Sequence, residues 1–212
     1  MQDQKELWNK TIASEGVFQS TTTQTDFAEE VLSSIQPRSK ILDVGCGLGT
    51  DAAIFAQAGH TVLATDFSKV AIEKNREKFK TVPHLSFELL DLHNPFRFNA
   101  NEFDVVYARL SLHYFTDAVT RNIFNEIHRV LKPTGYLCFL CKSTSDKLYG
   151  EGTEIEKDMF ERKGHVRHFF SEEYTRSLLA KHFEIDILEL GDKRIYTRDA
   201  SFIKVIAHAI KQ

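Results

Sequence analysis

Apolar positions change period along this chain, and the changes mark out its elements. Leu7, Trp8, Thr11 and Ile12 share a helical face, and Phe27, Val31 and Ile35, flanked by Ala28 and Leu32, make a second amphipathic stripe. The polar run from Gly16 to Thr25 between them reads as a loop, not a linker to another domain. Ile41, Leu42 and Val44 then form a short continuous apolar run, the pattern of a strand buried on both faces of a parallel sheet. Ala52 to Ala58 is an apolar helix closed by Gly59, and His60 to Asp66 is a second strand. Ser68 caps a helix reaching about Lys80, with Ile72 and Phe79 on one face.

Pro83 breaks the chain before Leu85 to Asp91 alternates into a third strand. The segment from Asn94 to Glu102 is a loop, and Phe103 to Leu110 is a fourth strand. Val119, Ile123, Ile127 and Val130, with Phe124 and Leu131, give the clearest helical periodicity in the chain. Lys132-Pro-Thr-Gly135 predicts a turn into a fifth strand, Tyr136 to Cys141. Residues 143–170 show no sustained period and carry Gly150, Gly152 and Gly164, which predicts a lid-like insertion. Ser171 caps a further helix with Glu172 and Glu173 in its first turn, and Phe183 to Leu190 and Phe202 to Ile210 supply the last two strands. Strands alternating with helices predict a doubly wound α/β domain.

The most informative stretch is Asp43-Val-Gly-Cys-Gly-Leu-Gly49, between the first strand and its helix. Glycines there let the backbone turn sharply and approach a ligand without Cβ atoms in the way. The spacing is G-x-G-x-G behind an acid, not the G-x-G-x-x-G of dinucleotide sites. The next strand ends in Asp66, seventeen residues past Gly49, where an acid can accept both hydroxyls of a nucleoside ribose. A helix N-cap is the alternative role for Asp66.

This pattern resembles motif I of the class I S-adenosylmethionine-dependent methyltransferases. Leu131-Lys-Pro-Thr-Gly135 resembles a second, scaffold motif of that family, and the likeness is firm from about Ile35 to Lys142. The resemblance implies a Rossmann-like seven-stranded sheet of order 3-2-1-4-5-7-6 with the last strand antiparallel, in a single domain over 1–212 with a helical cap at 1–36. It implies S-adenosylmethionine as cofactor. Asp43, Gly45, Cys46, Gly47 and Gly49 would meet the methionine portion, Asp66 the ribose, Phe67, Asp91 and Leu92 the adenine, and Arg109 the region beside the sulfonium. His113 is the candidate base, with a structural role as its alternative. Trp8, Tyr114, Tyr149, His165, Arg167 and His168 are candidates for the acceptor pocket. Trp8 and Phe18 either line that pocket or dock helices on the sheet.

Charge and composition narrow the class. The formal net charge is −3, from 27 basic and 30 acidic residues, which argues against an electrostatic nucleic-acid footprint or a membrane partner. Nothing reads as a transmembrane span, and the first residues lack a signal peptide's apolar core. Cys46, Cys138 and Cys141 are an odd number, which fits a reducing cytoplasm. Cys138-x-x-Cys141 lies in a strand, where residues three apart face opposite sides, so it reads as two core thiols and no metal is expected. The segment after the fourth strand, Ala108-Arg-Leu-Ser-Leu-His-Tyr114, lacks the Pro-Pro-aromatic signature of DNA amino-methylating enzymes and the Pro-Cys nucleophile of pyrimidine-ring enzymes. The expected activity is methyl transfer to a small molecule by a monomer or weak dimer. Protein or RNA methylation, or a non-catalytic S-adenosylmethionine-binding role, are the alternatives.

Overall fold

The computed structural model describes residues 4–13, 26–195 and 198–211; Phe18 lies outside them. Two helices, α1 (Gln4–Ala13) and α2 (Asp26–Ser34), precede the sheet. The first half of the sheet is built from β1 (Lys40–Val44), α3 (Thr50–Gln57), β2 (Thr61–Asp66), α4 (Lys69–Lys78) and β3 (Leu85–Leu89). The second half takes β4 (Phe103–Arg109), a 3-10 turn (Leu112–Tyr114), α5 (Asp117–Val130) and β5 (Leu131–Lys142). Three short strands follow, β6 (Thr153–Glu156), β7 (Met159–Arg162) and β8 (His165–His168), then α6 (Glu172–Leu179), β9 (Phe183–Ile195) and β10 (Arg198–Ala209).

The main sheet has the order β3-β2-β1-β4-β5-β10-β9, and β10 runs antiparallel to both of its neighbours. That is the topology the resemblance implies, with β9 and β10 as its sixth and seventh strands. Alternate residues of the central strands feed two cores. Leu42, Val44, Val106, Ala108 and Phe139 pack against α5 and α6 through Ile123, Phe124, Ile127 and Leu179. Ile41, Val105, Tyr107 and Leu140 pack against α2, α3 and α4 through Phe27, Val31, Phe55 and Ile72. Cys138 belongs to the second core and Cys141 to the first, so the two thiols face opposite sides of β5. Both are free, and burial pushes each thiol well up.

The structure departs from the sequence pattern in three places. Strand β5 begins at Leu131, so Pro133 lies inside it; Thr134 turns through φ 60° and the pairing register with β4 shifts there. The expected turn is folded into the strand as an irregularity. The final hairpin is longer than its apolar core, because residues 191–195 pair on with 198–202. Residues 153–168 form a separate three-stranded antiparallel sheet, β6-β7-β8. Its strands have four residues each, too few to show a period. Its two turns use left-handed residues, Asp158 at φ 62° and Lys163 with Gly164 at φ 54° and 82°. The small sheet is anchored from below: Phe170 donates its N–H to the Lys142 carbonyl, and Asp146 pairs with Lys142 Nζ and accepts the N–H of Ser201.

Candidate functional site

The strand order reverses between β1 and β4, and ligands of open α/β sheets bind at the carboxyl ends of strands flanking such a point. A cavity of about 270 Å³ opens there. Gly45, Cys46, Gly47 and Leu48 line it after β1, Asp66 and Phe67 at the end of β2, Asp91 to His93 after β3, and Arg109 to Ser111 after β4. Trp8 and Thr11 of α1 close it from above, with Tyr114 and Phe115 at its rim. Helix α1 is tied down where Ser68 Oγ donates to Asn9 Oδ1 at 2.6 Å.

The glycine loop is held by the strands beside it. Gly45 and Cys46 both donate to the Thr65 carbonyl at 2.8 Å, and Asp66 Oδ2 accepts the Gly47 N–H at 3.0 Å. Asn75, fully buried on α4, donates to the Gly47 carbonyl at 2.8 Å. The three glycines have separate reasons for being there. A Cβ on Gly45 would lie 2.3 Å from Ser111 Cβ, so this glycine admits the loop after β4. A Cβ on Gly49 would lie 2.9 Å from the Phe87 ring, so that glycine packs the start of α3 and does not line the cavity. Gly47, at φ 50°, has nothing within 4 Å of its Cβ position and lines the cavity. It is the glycine that leaves room for a ligand.

Carboxylates dominate the deep end. Asp43, Asp51 and Asp66 all line the cavity, and burial raises the pKa of each above the usual carboxylate range. For Asp43 the negative charges of Asp51 and Asp66 add to that effect, and Arg109 opposes it. The N–H groups of Ser68 and Gly47 partly offset it for Asp66. Arg109 Nε sits 3.1 Å from Asp51 Oδ2, which also accepts the Tyr107 hydroxyl at 2.9 Å. Asp51 Oδ1 is buried without a partner among the described residues. Three carboxyl groups, each with a pKa raised by burial, face one guanidinium, and a cationic ligand would favour their ionised forms.

The other sequence candidates divide. Trp8, Asp91, Leu92 and Tyr114 line the cavity. His113 does not: the 3-10 turn points Tyr114 toward the cavity and leaves His113 1% exposed, with Nδ1 unpartnered among the described residues. Burial, then the charges of Arg167, Lys142 and His168, push its pKa well down, so this imidazole stays neutral. His165 stands one layer out, its ring 6.0 Å from that of Trp8. Arg167 follows on the same face of β8. His168 is buried against Phe170 and Tyr174 with Nδ1 3.3 Å from the Phe115 carbonyl oxygen. Tyr149 is on the outer surface and donates to Asp158 Oδ1 at 2.7 Å.

Asp51, Tyr107, Asn75 and His93 are site residues that the sequence pattern did not single out. His93 lines the cavity with Nδ1 3.0 Å from Asp91 Oδ1, against the edge of the Phe115 ring. Asp51 had a local signal, an acid two residues past the last motif glycine.

Residues 41–135 match the family model described as a methyltransferase domain. An uncharacterized methyltransferase of Synechocystis sp. is 37% identical over 102 residues, covering 48% of this chain and 46% of that protein. A probable thiol methyltransferase of Arabidopsis thaliana is 26% identical over 127 residues, covering 59% of this chain and 56% of that protein. The chain thus spans about half the length of the curated relatives it matches. A solved SAM-dependent methyltransferase from Methanosarcina mazei superposes with a TM-score of 0.77 over 86% of this chain and 98% of that one, at 24% identity. The fold is the Rossmann-like methyltransferase fold, and the match to the methyltransferase domain model is confined to residues 41–135.

Proposed function

We propose that this chain is an S-adenosylmethionine-dependent methyltransferase acting on a small-molecule acceptor. The observation that carries the reading is the set of charged groups in the glycine-lined cavity: Asp43, Asp51, Asp66 and Asp91 with Arg109. S-adenosylmethionine carries two positive centres, an ammonium and a sulfonium, and one carboxylate, so acids beside one arginine fit it in sign. The open space over Gly47 fits its closest approach to the backbone, and the unpartnered Asp51 Oδ1 fits an ammonium donor.

In this reading each residue has one task. Asp66, fixed by the N–H groups of Gly47 and Ser68, keeps acceptor capacity on both oxygens for the ribose hydroxyls. Asp91 accepts from the adenine amine, with Phe67 and Leu92 as apolar walls. Asp43 and Asp51 take the ammonium, and Arg109 takes the carboxylate. When bound, the cofactor supplies a methyl group already activated on sulfur for in-line displacement by a lone pair of the acceptor. The protein then contributes mainly orientation and water exclusion. Trp8, Tyr114 and Phe115 do this at the open end, where Trp8 and Tyr114 meet edge to face at 5.4 Å.

The aromatic rim favours a small acceptor, as does the name of the Arabidopsis relative. The segment 143–170 borders the site through β8, which lies against α1 and the 3-10 turn, while none of its residues lines the cavity itself. A cytoplasmic setting fits the three unpaired cysteines; among the described residues no helix is long and apolar enough to cross a membrane. The test is a screen of thiol, hydroxyl, amine and carboxylate acceptors for S-adenosylhomocysteine production. Production with at least one acceptor, lost in Asp66→Ala, is expected. Failure of the folded protein to bind S-adenosylmethionine would remove the proposal.

A further inference from the structure

We propose that the acceptor carries an anionic group, a carboxylate or a phosphate, which docks against Arg167 where α1, the 3-10 turn and β8 meet. This rests on the methyltransferase reading and assigns the acceptor's chemistry, which that reading leaves open.

Strand β8 alternates: Val166 and His168 are buried, and His165 and Arg167 share the other, partly covered face. That face looks toward the open end of the cavity, because the His165 ring meets Trp8 and Trp8 meets Tyr114, both of which line it. Asp117, Glu156 and Asp158 act on His168, on the buried side. Beyond burial, the positive charge of Arg167 helps to lower the pKa of His113, His165 and Lys142. Of these, Lys142 is already paired with Asp146 at 2.6 Å. No carboxylate pairs with Arg167 among the described residues.

A partly buried guanidinium without an anion is unusual, since such groups are normally paired when covered. Two further groups nearby are also short of partners: Nδ1 of His113 and Nδ1 of His165 are buried and unbonded among the described residues. Burial lowers the pKa of both rings, so each is neutral and offers one N–H donor. A fork of guanidinium donors flanked by two imidazoles matches a planar or tetrahedral oxyanion. An acceptor gripped there directs its other end past Trp8 and Tyr114 into the cavity.

Trp8 is the only tryptophan in the chain, so its fluorescence reports on this junction. Inorganic phosphate, and separately acetate, should be titrated into the protein at constant ionic strength, with and without S-adenosylhomocysteine. A saturable change is expected, with about tenfold weaker binding in Arg167→Gln and the melting temperature unaltered. The anion that saturates at the lower concentration names the group. No saturation with either anion, or equal binding by the variant, overturns the site. In the acceptor screen, active compounds should carry that group, and Arg167→Gln should raise their KM about tenfold with kcat little changed. Neutral or cationic acceptors turned over with unchanged KM in the variant would overturn the assignment. Anion binding that depends on Arg167 without any methyl transfer would keep the subsite and remove the methyltransferase reading instead.

Discussion

Asp66 reaches across from the end of β2 to accept the Gly47 N–H at 3.0 Å, so the acid and the glycine loop form one unit. Its other oxygen accepts the Ser68 N–H at 2.8 Å, which sets the carboxylate plane before any ligand arrives. The ribose acid is therefore also the brace of the loop.

Asp66→Ala should weaken S-adenosylmethionine binding by about 2–3 kcal/mol, roughly 30- to 150-fold, from lost charged hydrogen bonds. Isothermal titration calorimetry reads this directly. Unchanged affinity in a folded variant would rule out the ribose assignment.

The glycines should separate by phenotype. Gly47→Val puts a branched residue at φ 50° with its side chain over the cavity, so binding should vanish while the fold survives. Gly45→Ala collides with Ser111 at 2.3 Å and should cost about 1–3 kcal/mol of stability. Adding Ser111→Gly should recover the part of that loss due to the clash, leaving the strain at φ 77° and the lost Ser111 bond to the Val44 carbonyl. Denaturant melts of the single and double variants check the pair, and a double variant no more stable than Gly45→Ala would contradict the packing argument.

Asn75→Ala should loosen the loop from the α4 side. It removes the buried bond to the Gly47 carbonyl, at a cost of about 1–3 kcal/mol in stability, and should lower cofactor affinity without touching the ligand. Thermal melting together with calorimetry tests both halves. A variant that binds normally would show that Gly47 and Asp66 hold the loop alone.

The buried acids predict a pH signature. Asp43 has a pKa raised by burial and by its acidic neighbours, so its protonated form is favoured in the folded, ligand-free protein. Its contribution to stability is full below the unfolded carboxylate pKa and is lost as pH rises through the folded one. Asp43→Asn should therefore melt higher than the wild type at neutral pH, and the gap should close as pH falls toward 4, near the unfolded value. The same variant should bind S-adenosylmethionine more weakly. A melting difference independent of pH would contradict the charge argument.

The sheet was legible in the sequence because its strands are continuous apolar runs and its helices keep period 3.6, as Ile41 to Val44 and Val119 to Val130 illustrate. The small sheet was not, since Thr153–Glu156 and its partners are four residues long and mostly polar or exposed. At the site, motif spacing located Asp43, Gly47 and Asp66, all local to strand ends. It missed Tyr107 and Asn75, whose roles come from pairing with residues 56 and 28 positions away. It could not orient His113, because a three-residue turn decides which of two adjacent rings faces the cavity. Spacing also treated three glycines alike, whereas φ and neighbours give them different work.

A crystal structure of the protein with S-adenosylhomocysteine would place the cofactor against these residues. The ribose hydroxyls are expected within hydrogen-bond distance of Asp66, the adenine amine at Asp91, and the amino-acid end over Gly47 between Asp43, Asp51 and Arg109. A ligand bound outside this cavity, or its ribose away from Asp66, would contradict the account.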